Sequence, residues 1–133
     1  MEKEELLSKL RTCAAKDTSA DPGGWTVDNP LWGHCAVASL LAQEVFGGEL
    51  VRGSLKDVEK YAHLRSHYWN RLPDGQEFDF TSEQYPDVSC KDLVGEIRSR
   101  ESVLEHPDTQ TRFAVFKERF NQACVDRRSS GPL

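Results

Sequence analysis

Residues 29–46 read Asn29-Pro30-Leu31-Trp32-Gly33-His34-Cys35-Ala36-Val37-Ala38-Ser39-Leu40-Leu41-Ala42-Gln43-Glu44-Val45-Phe46, and the chain changes character at Cys35. Upstream, Trp25 to Gly33 is aromatic and punctuated by proline and glycine. Downstream, apolar residues cover most of a helical circumference, which predicts a helix from His34 or Cys35 to Phe46 lying inside the fold. Gly47-Gly48 supplies its C-terminal stop. A thiol in the first turn of such a helix meets unpaired backbone N–H groups and the positive end of the helix dipole. That setting favours the thiolate, the nucleophilic form of cysteine. Chemistry, if the chain performs any, is expected to start at Cys35.

Working outward, Leu6, Leu7, Leu10, Cys13 and Ala14 form the stripe of an amphipathic helix over residues 3–16. Thr18 to Gly24 reads as a loop and Glu49 to Arg52 as a strand. Gly53 to Leu64 reads as either a short helix or a long surface loop with a helical turn. His67 to Leu72 and Gln76 to Thr81 flank Pro73-Asp74-Gly75, a hairpin signal. Residues 90–104 look weakly helical, with Leu93, Val94, Ile97 and Leu104 on one side. Asp108 or Thr109 is expected to cap a last helix that runs to about Cys124 and buries Phe113, Phe116, Phe120 and Cys124. The pattern predicts one α+β domain over 1–126, with the central helix (about 35–46) packed on a small antiparallel sheet and flanked by N- and C-terminal helices. Residues 127–133 are expected to form a flexible tail.

The 133 residues suit one domain, since single domains commonly hold about 100–200 residues. The net charge is −5, and no basic stripe accompanies the aromatics, which argues against a nucleic-acid partner. No apolar run approaches the ~20 residues needed to span a bilayer, so no membrane partner is expected. Met1-Glu2-Lys3-Glu4-Glu5 lacks the apolar segment of a signal peptide, and a cytoplasmic location is expected. Cys13, Cys35, Cys90 and Cys124 form no C-x-x-C pair, so neither a zinc ribbon nor a redox dithiol is indicated. Cys13 and Cys124 fall on apolar helix faces and read as core. His34, Cys35, His67 and Asp79 include zinc-ligand types, but adjacent residues at a helix start rarely aim at one ion. No metal and no cofactor are expected.

A cysteine nucleophile needs a base, and the base needs a group that fixes its tautomer. His67 opens the first hairpin strand, and Asp79 lies near the end of the second. A three-residue loop, Pro73 to Gly75, pairs Leu72 with Gln76 and puts His67 and Asp79 on one face, roughly 7 Å apart by backbone. A two-residue loop, Asp74-Gly75, puts Asp79 on the other face. The sequence leaves this register open. Asp79 has a second reading, as a hydrogen-bond acceptor for the loop near Thr81. Asn29 and Gln84 offer side-chain amides that either help hold an oxyanion or cap turns. Trp25, Trp32 and Trp69 read as core and cleft walls, while His63 and His106 read as bystanders.

The order of a cysteine at a buried helix start, then histidine, then aspartate on a hairpin resembles papain-like and transglutaminase-like folds. Papain-type hydrolases place an oxyanion amide six residues before the cysteine, which the resemblance assigns to Asn29. More narrowly, the chain is similar to the YunG-like family of small bacterial proteins of uncharacterised function. The matching motifs are Asn29-Pro30-Leu31-Trp32-Gly33-His34-Cys35-Ala36-Val37, Gly47-Gly48-Glu49, His67-Tyr68-Trp69-Asn70, Asp74-Gly75 and Asp79-Phe80-Thr81-Ser82-Glu83-Gln84-Tyr85. Weaker similarity lies around Thr111-Arg112-Phe113. His34 stands where the family pattern carries glutamine; if that glutamine holds the oxyanion or positions the substrate, the chain has changed the site there, which is the feature that favours a binding module. The resemblance implies a papain-like fold and a Cys35-His67-Asp79 triad. From those residues, a cysteine-dependent hydrolase or acyltransferase acting on an amide bond of a peptide or small molecule is expected. The alternative is a non-catalytic binding module with a degenerate papain-like cleft.

Overall fold

A computed structural model describes residues 1–129, with side chains through Cys124. Four helices, α1 (Lys3–Cys13), α2 (Cys35–Phe46), α3 (Arg100–Leu104) and α4 (Pro107–Ser129), accompany four strands, β1 (Glu49–Ser54), β2 (Ser66–Arg71), β3 (Glu77–Phe78) and β4 (Gly95–Arg98). The strands form one antiparallel sheet in the order β3-β2-β1-β4. The protein is therefore mixed α+β.

Helix α2 starts and stops at the expected residues, and Val37 to Ala42 are all buried. Leu6 and Leu10 from α1, Leu40 and Leu41 from α2, Leu50 and Phe80 from the sheet side, and Phe113, Phe116 and Phe120 from α4 share one apolar core. Asn70 Nδ2 donates to the Ser39 carbonyl at 3.0 Å, which ties β2 to the middle of α2. A second, smaller cluster of Leu55, Tyr61 and Tyr85 is joined by Trp32, Leu64 and Leu93.

The hairpin uses the three-residue loop. Leu72 N–H donates to Gln76 O and Gly75 N–H to Leu72 O, both at 2.8 Å, while Asn70 pairs with Phe78. The second strand is shorter than expected, because the Asp79 carboxylate accepts from the Thr81 N–H and turns the chain out of the ladder. Between the hairpin and β1, Glu59–Leu64 is a 3₁₀ helix.

Residues 90–104 depart from expectation. In place of one weak helix there are a 3₁₀ turn (Cys90–Asp92), strand β4 and the short α3. Val94 is 91% exposed and Ile97 45%, while Leu93 packs on the smaller cluster and Leu104 on the main core, so the four do not form one helical stripe. The cause is tertiary. Gly95 lies so close to Val51 and Trp69 that a Cβ there would stand 2.8 Å and 2.9 Å from them. This close approach lets β4 take the open edge of β1.

Helix α4 begins one or two residues before the expected caps. His106 O accepts the first intrahelical bond, and Pro107 takes the first turn, where its missing N–H is no loss. The helix is drawn beyond Cys124 to Ser129. Residues 130–133, which make up most of the expected tail, lie outside the described residues. No described helix is long and apolar enough to cross a membrane.

Candidate functional site

The loop before Cys35 is held from both sides. Gly33 has φ +76°, and a Cβ there would stand 2.2 Å from Ser19 Oγ, so the approach to the helix requires glycine. Its N–H donates to Gln84 Oε1 at 3.0 Å. The Cys35 side chain itself is half-buried at the first turn of α2.

The His67–Asp79 pair forms as the three-residue loop requires. His67 Nε2 and Asp79 Oδ2 lie 2.6 Å apart, with side-chain exposures of 2% and 7%. Asp79 makes both contacts, one oxygen each: Oδ2 meets the imidazole while Oδ1 accepts from the Thr81 N–H and hydroxyl. Trp69 stacks on the His67 ring at 5.9 Å and Tyr85 stands edge-on at 5.2 Å, so the ring is fixed in plane and tilt. Burial by itself disfavours the imidazolium. The hydrogen bond to Asp79, the neighbouring Cys35 and the charges on both outweigh it, and the pKa is pushed up to about 10. Nδ1 is buried without a hydrogen-bond partner. With Nε2 taken by Asp79, Nδ1 is the nitrogen left for the thiol.

Gln84 is 1% exposed, and its amide is fully engaged. Its Nε2 donates to Thr81 Oγ1 at 2.7 Å, and that hydroxyl donates on to Asp79 Oδ1. A chain of hydrogen bonds thus runs from Gly33, two residues before Cys35, through Gln84 and Thr81 to the carboxylate that holds His67. Gln84 therefore clamps the cysteine loop to the aspartate loop, and does not offer its amide to the cavity. Asn29 Nδ2 donates to the Gln84 carbonyl at 3.2 Å, and Asn29 Oδ1 is buried without a partner.

His34 turns away from Cys35 into the core. Its ring, 0% exposed, lies against Phe116, with Nδ1 2.9 Å from Trp32 O and Nε2 2.7 Å from Thr18 Oγ1. A carbonyl can only accept, so Nδ1 carries the proton; in the neutral ring Nε2 then accepts from the Thr18 hydroxyl, which also lies 3.0 Å from the Ala15 carbonyl. Both nitrogens are engaged in the interior, and neither is free to meet an oxyanion. Burial, first of all, lowers the pKa of His34 to about 4, and the Arg112 charge adds to it against the pull of the Trp32 carbonyl. The ring is neutral when folded, whereas the unfolded chain protonates below about 6.5. Stability is accordingly complete above pH 6.5 and falls as pH drops toward 4. In His34→Gln this part of the acid slope, up to about 1.4 kcal/mol per pH unit, is expected to vanish in urea titrations at pH 4–7. An unchanged slope would refute the buried neutral ring.

Of the tryptophans, none lines the cavity beside Cys35. Trp25 braces the loop by donating to Pro30 O at 2.8 Å, Trp32 donates to Asp21 Oδ2 at 3.0 Å, and Trp69 is buried over the glycines of β1 and β4. The cavity of about 180 Å³ is walled instead by Ala36, Leu64, Tyr68, Tyr85 and Val103, with His106 and Arg112. Burial, and then the nearby Cys35 and Asp79, raise the Tyr85 pKa, so its phenol stays neutral. A larger cavity, about 690 Å³ beside Trp69 and Cys90, includes none of Cys35, His67 and Asp79. Arg112 escaped the sequence reading, although spacing carried a signal: with Thr109, Phe113, Phe116 and Phe120 it lies on the buried stripe of α4. Among the described residues no group of three His, Cys, Asp or Glu side chains is arranged to hold a metal ion.

No curated protein and no solved structure matches the chain. The family model described as YunG protein matches residues 2–125, and the chain belongs to that family.

Proposed function

We propose that the protein is a cysteine-dependent hydrolase or acyltransferase of papain-like type, acting on an amide bond. One observation carries this reading: a buried histidine, bonded through Nε2 to Asp79, has its other nitrogen unpartnered beside a half-buried cysteine at a helix start that opens on a cavity. With its pKa raised to about 10, His67 already holds the Cys35 proton at Nδ1, and the thiolate sulfur attacks the carbonyl carbon. The carbon–sulfur bond forms and the carbonyl electron pair moves to oxygen. Backbone N–H groups of the first turn of α2, which lack intrahelical acceptors, are the natural donors to that oxyanion. On collapse the carbon–nitrogen bond breaks, and the amine leaves with the His67 proton. Water or a second amine then attacks the thioester with His67 as base, and the carbon–sulfur bond breaks to release the acyl product and return Cys35 as the thiolate.

Peptidase, amidase, deamidase and acyltransferase share these steps. The competing reading is a binding module that uses the same cavity without chemistry.

Iodoacetamide labelling, followed cysteine by cysteine with mass spectrometry, separates the two. Burial, then the Asp79 and Glu77 charges, push the Cys90 thiol up, and burial chiefly does the same to Cys13. Cys35 is expected to label at least about tenfold faster than Cys90 at pH 7. Equal rates at Cys35 and Cys90 would remove the enzyme reading.

A further inference from the structure

We propose that the cavity beside Cys35 is a carboxylate pocket, so that the substrate is a short amide bearing a carboxylate that docks on Arg112. This rests on the enzyme reading above and names its substrate class. Arg112 is a wall of the cavity and its side chain is only 9% exposed. Its Nε donates to Asp108 Oδ2 at 3.0 Å, and Nη1 and Nη2 reach Thr18 O and Thr109 Oγ1, both at 3.3 Å. A guanidinium has five N–H donors, so two remain beyond these three bonds.

The one counterion, Asp108, is 80% exposed, and a pair anchored on so wet a carboxylate neutralises little. A buried cation left in that state is costly, and an incoming carboxylate, matching the planar fork, completes it. The walls of the cavity include no aspartate or glutamate. The adjoining groove shares Tyr68 and His106 with the cavity and adds Arg52 and Arg98 against the single acid Glu105. Arg98 Nε is buried there without a partner. In a chain of net charge −5, three arginines thus line the cavity and its adjoining groove, with Arg98 already paired through Nη2 to Glu96 Oε2 at 3.0 Å.

Size sharpens the assignment. About 180 Å³ is well below the roughly 300–1,000 Å³ of pockets for drug-sized ligands, so one short acidic group fits and an extended ligand does not.

The test compares alkylation of Cys35 by iodoacetate, which carries the carboxylate, and by neutral iodoacetamide, with 2-mercaptoethanol as a neutral reference thiol. In both reactions the thiolate sulfur bonds to the methylene carbon and iodide leaves. The iodoacetate-to-iodoacetamide ratio is expected to be about tenfold higher at Cys35 than at the reference, and to fall with added salt. It is expected to drop about fivefold or more in Arg112→Gln, and also in His106→Glu, an exposed position whose change leaves the core intact.

A ratio equal to the reference overturns the proposal. So does a high ratio that both variants leave unchanged, since the attraction would then come from His67. If Cys35 is no faster than Cys90 even with iodoacetamide, the enzyme reading falls and takes this proposal with it. Protection of Cys35 by N-acetylglutamate α-amide identifies a side-chain carboxylate, and protection by N-acetylglycine a chain terminus. Protection by neither overturns the pocket.

Discussion

Asp79→Asn is expected to slow iodoacetamide alkylation of Cys35 by about 10²-fold at pH 7 while the protein stays folded. The amide oxygen can still accept from the Thr81 N–H, so the turn after β3 survives. The amide nitrogen, however, faces His67 Nε2 and needs an acceptor there. That need drives the proton of the ring onto Nδ1, the nitrogen left for the thiol, where it can no longer take a proton. The ring also loses the hydrogen bond that opposes burial, so its pKa is expected to move down from about 10. Ring titration by NMR and mass spectrometry of labelled Cys35 read the two effects. A labelling rate within twofold of the wild type would overturn the proposed triad.

The same substitution has a signature in stability. The folded pKa of His67 lies above its unfolded value of 6.5, so the pair contributes in full below pH 6.5 and is lost as pH rises through about 10. Removing one member of a buried pair costs about 3 kcal/mol. The gap in unfolding free energy between wild type and Asp79→Asn is therefore expected to be widest near pH 6 and to close toward pH 10. A gap independent of pH would mean that His67 is neutral throughout.

Phe116→Ala is expected to cost about 3–5 kcal/mol in urea denaturation. Phe116 is 0% exposed and meets Leu6, Leu10, Leu40 and Leu41 in one core, with the His34 ring 5.6 Å away. Few neighbours can move in to fill the hole, because α1, α2 and α4 all converge there and interiors are close-packed. Phe116→Leu keeps much of the volume and is expected to lose clearly less. An alanine variant within 1 kcal/mol of the wild type would show that α4 does not close the core. Loosening His34 is expected to reach the loop before Cys35 as well, since Gly33 lies between His34 and the Trp32 carbonyl that the ring holds.

Much of the frame was legible in the residues. Helix α2 could be read to its end residues, because a nearly all-round apolar pattern followed by two glycines leaves few alternatives. The stripe of Phe113, Phe116 and Phe120 was equally plain. His67 and Asp79 could be named as candidates, but their meeting depended on whether the hairpin loop held two residues or three. Local turn chemistry permits both, so periodicity could not choose. Strand β4 was illegible for another reason: its signal is the glycine that admits Trp69, and nothing in residues 90–104 reveals a partner some 40 residues upstream.

The side-chain roles show the same division. His34 sits next to Cys35 in sequence and was expected near the reaction, yet neighbours at a helix start point different ways, and its ring completes the core. Gln84 could be read as an amide for an oxyanion or as a turn cap, and its side chain bridges two loops.

The sequence by itself determined the buried helix that begins at Cys35, the hairpin, the apolar stripes and family membership, because these depend on period and on local order along the chain. Only the tertiary structure decided the register that joins His67 to Asp79, the edge strand β4, the inward turn of His34 and the placing of Arg112 in the wall beside Cys35. Each of those depends on which distant backbone comes within hydrogen-bond or van der Waals range, and that is settled by packing the whole chain at once.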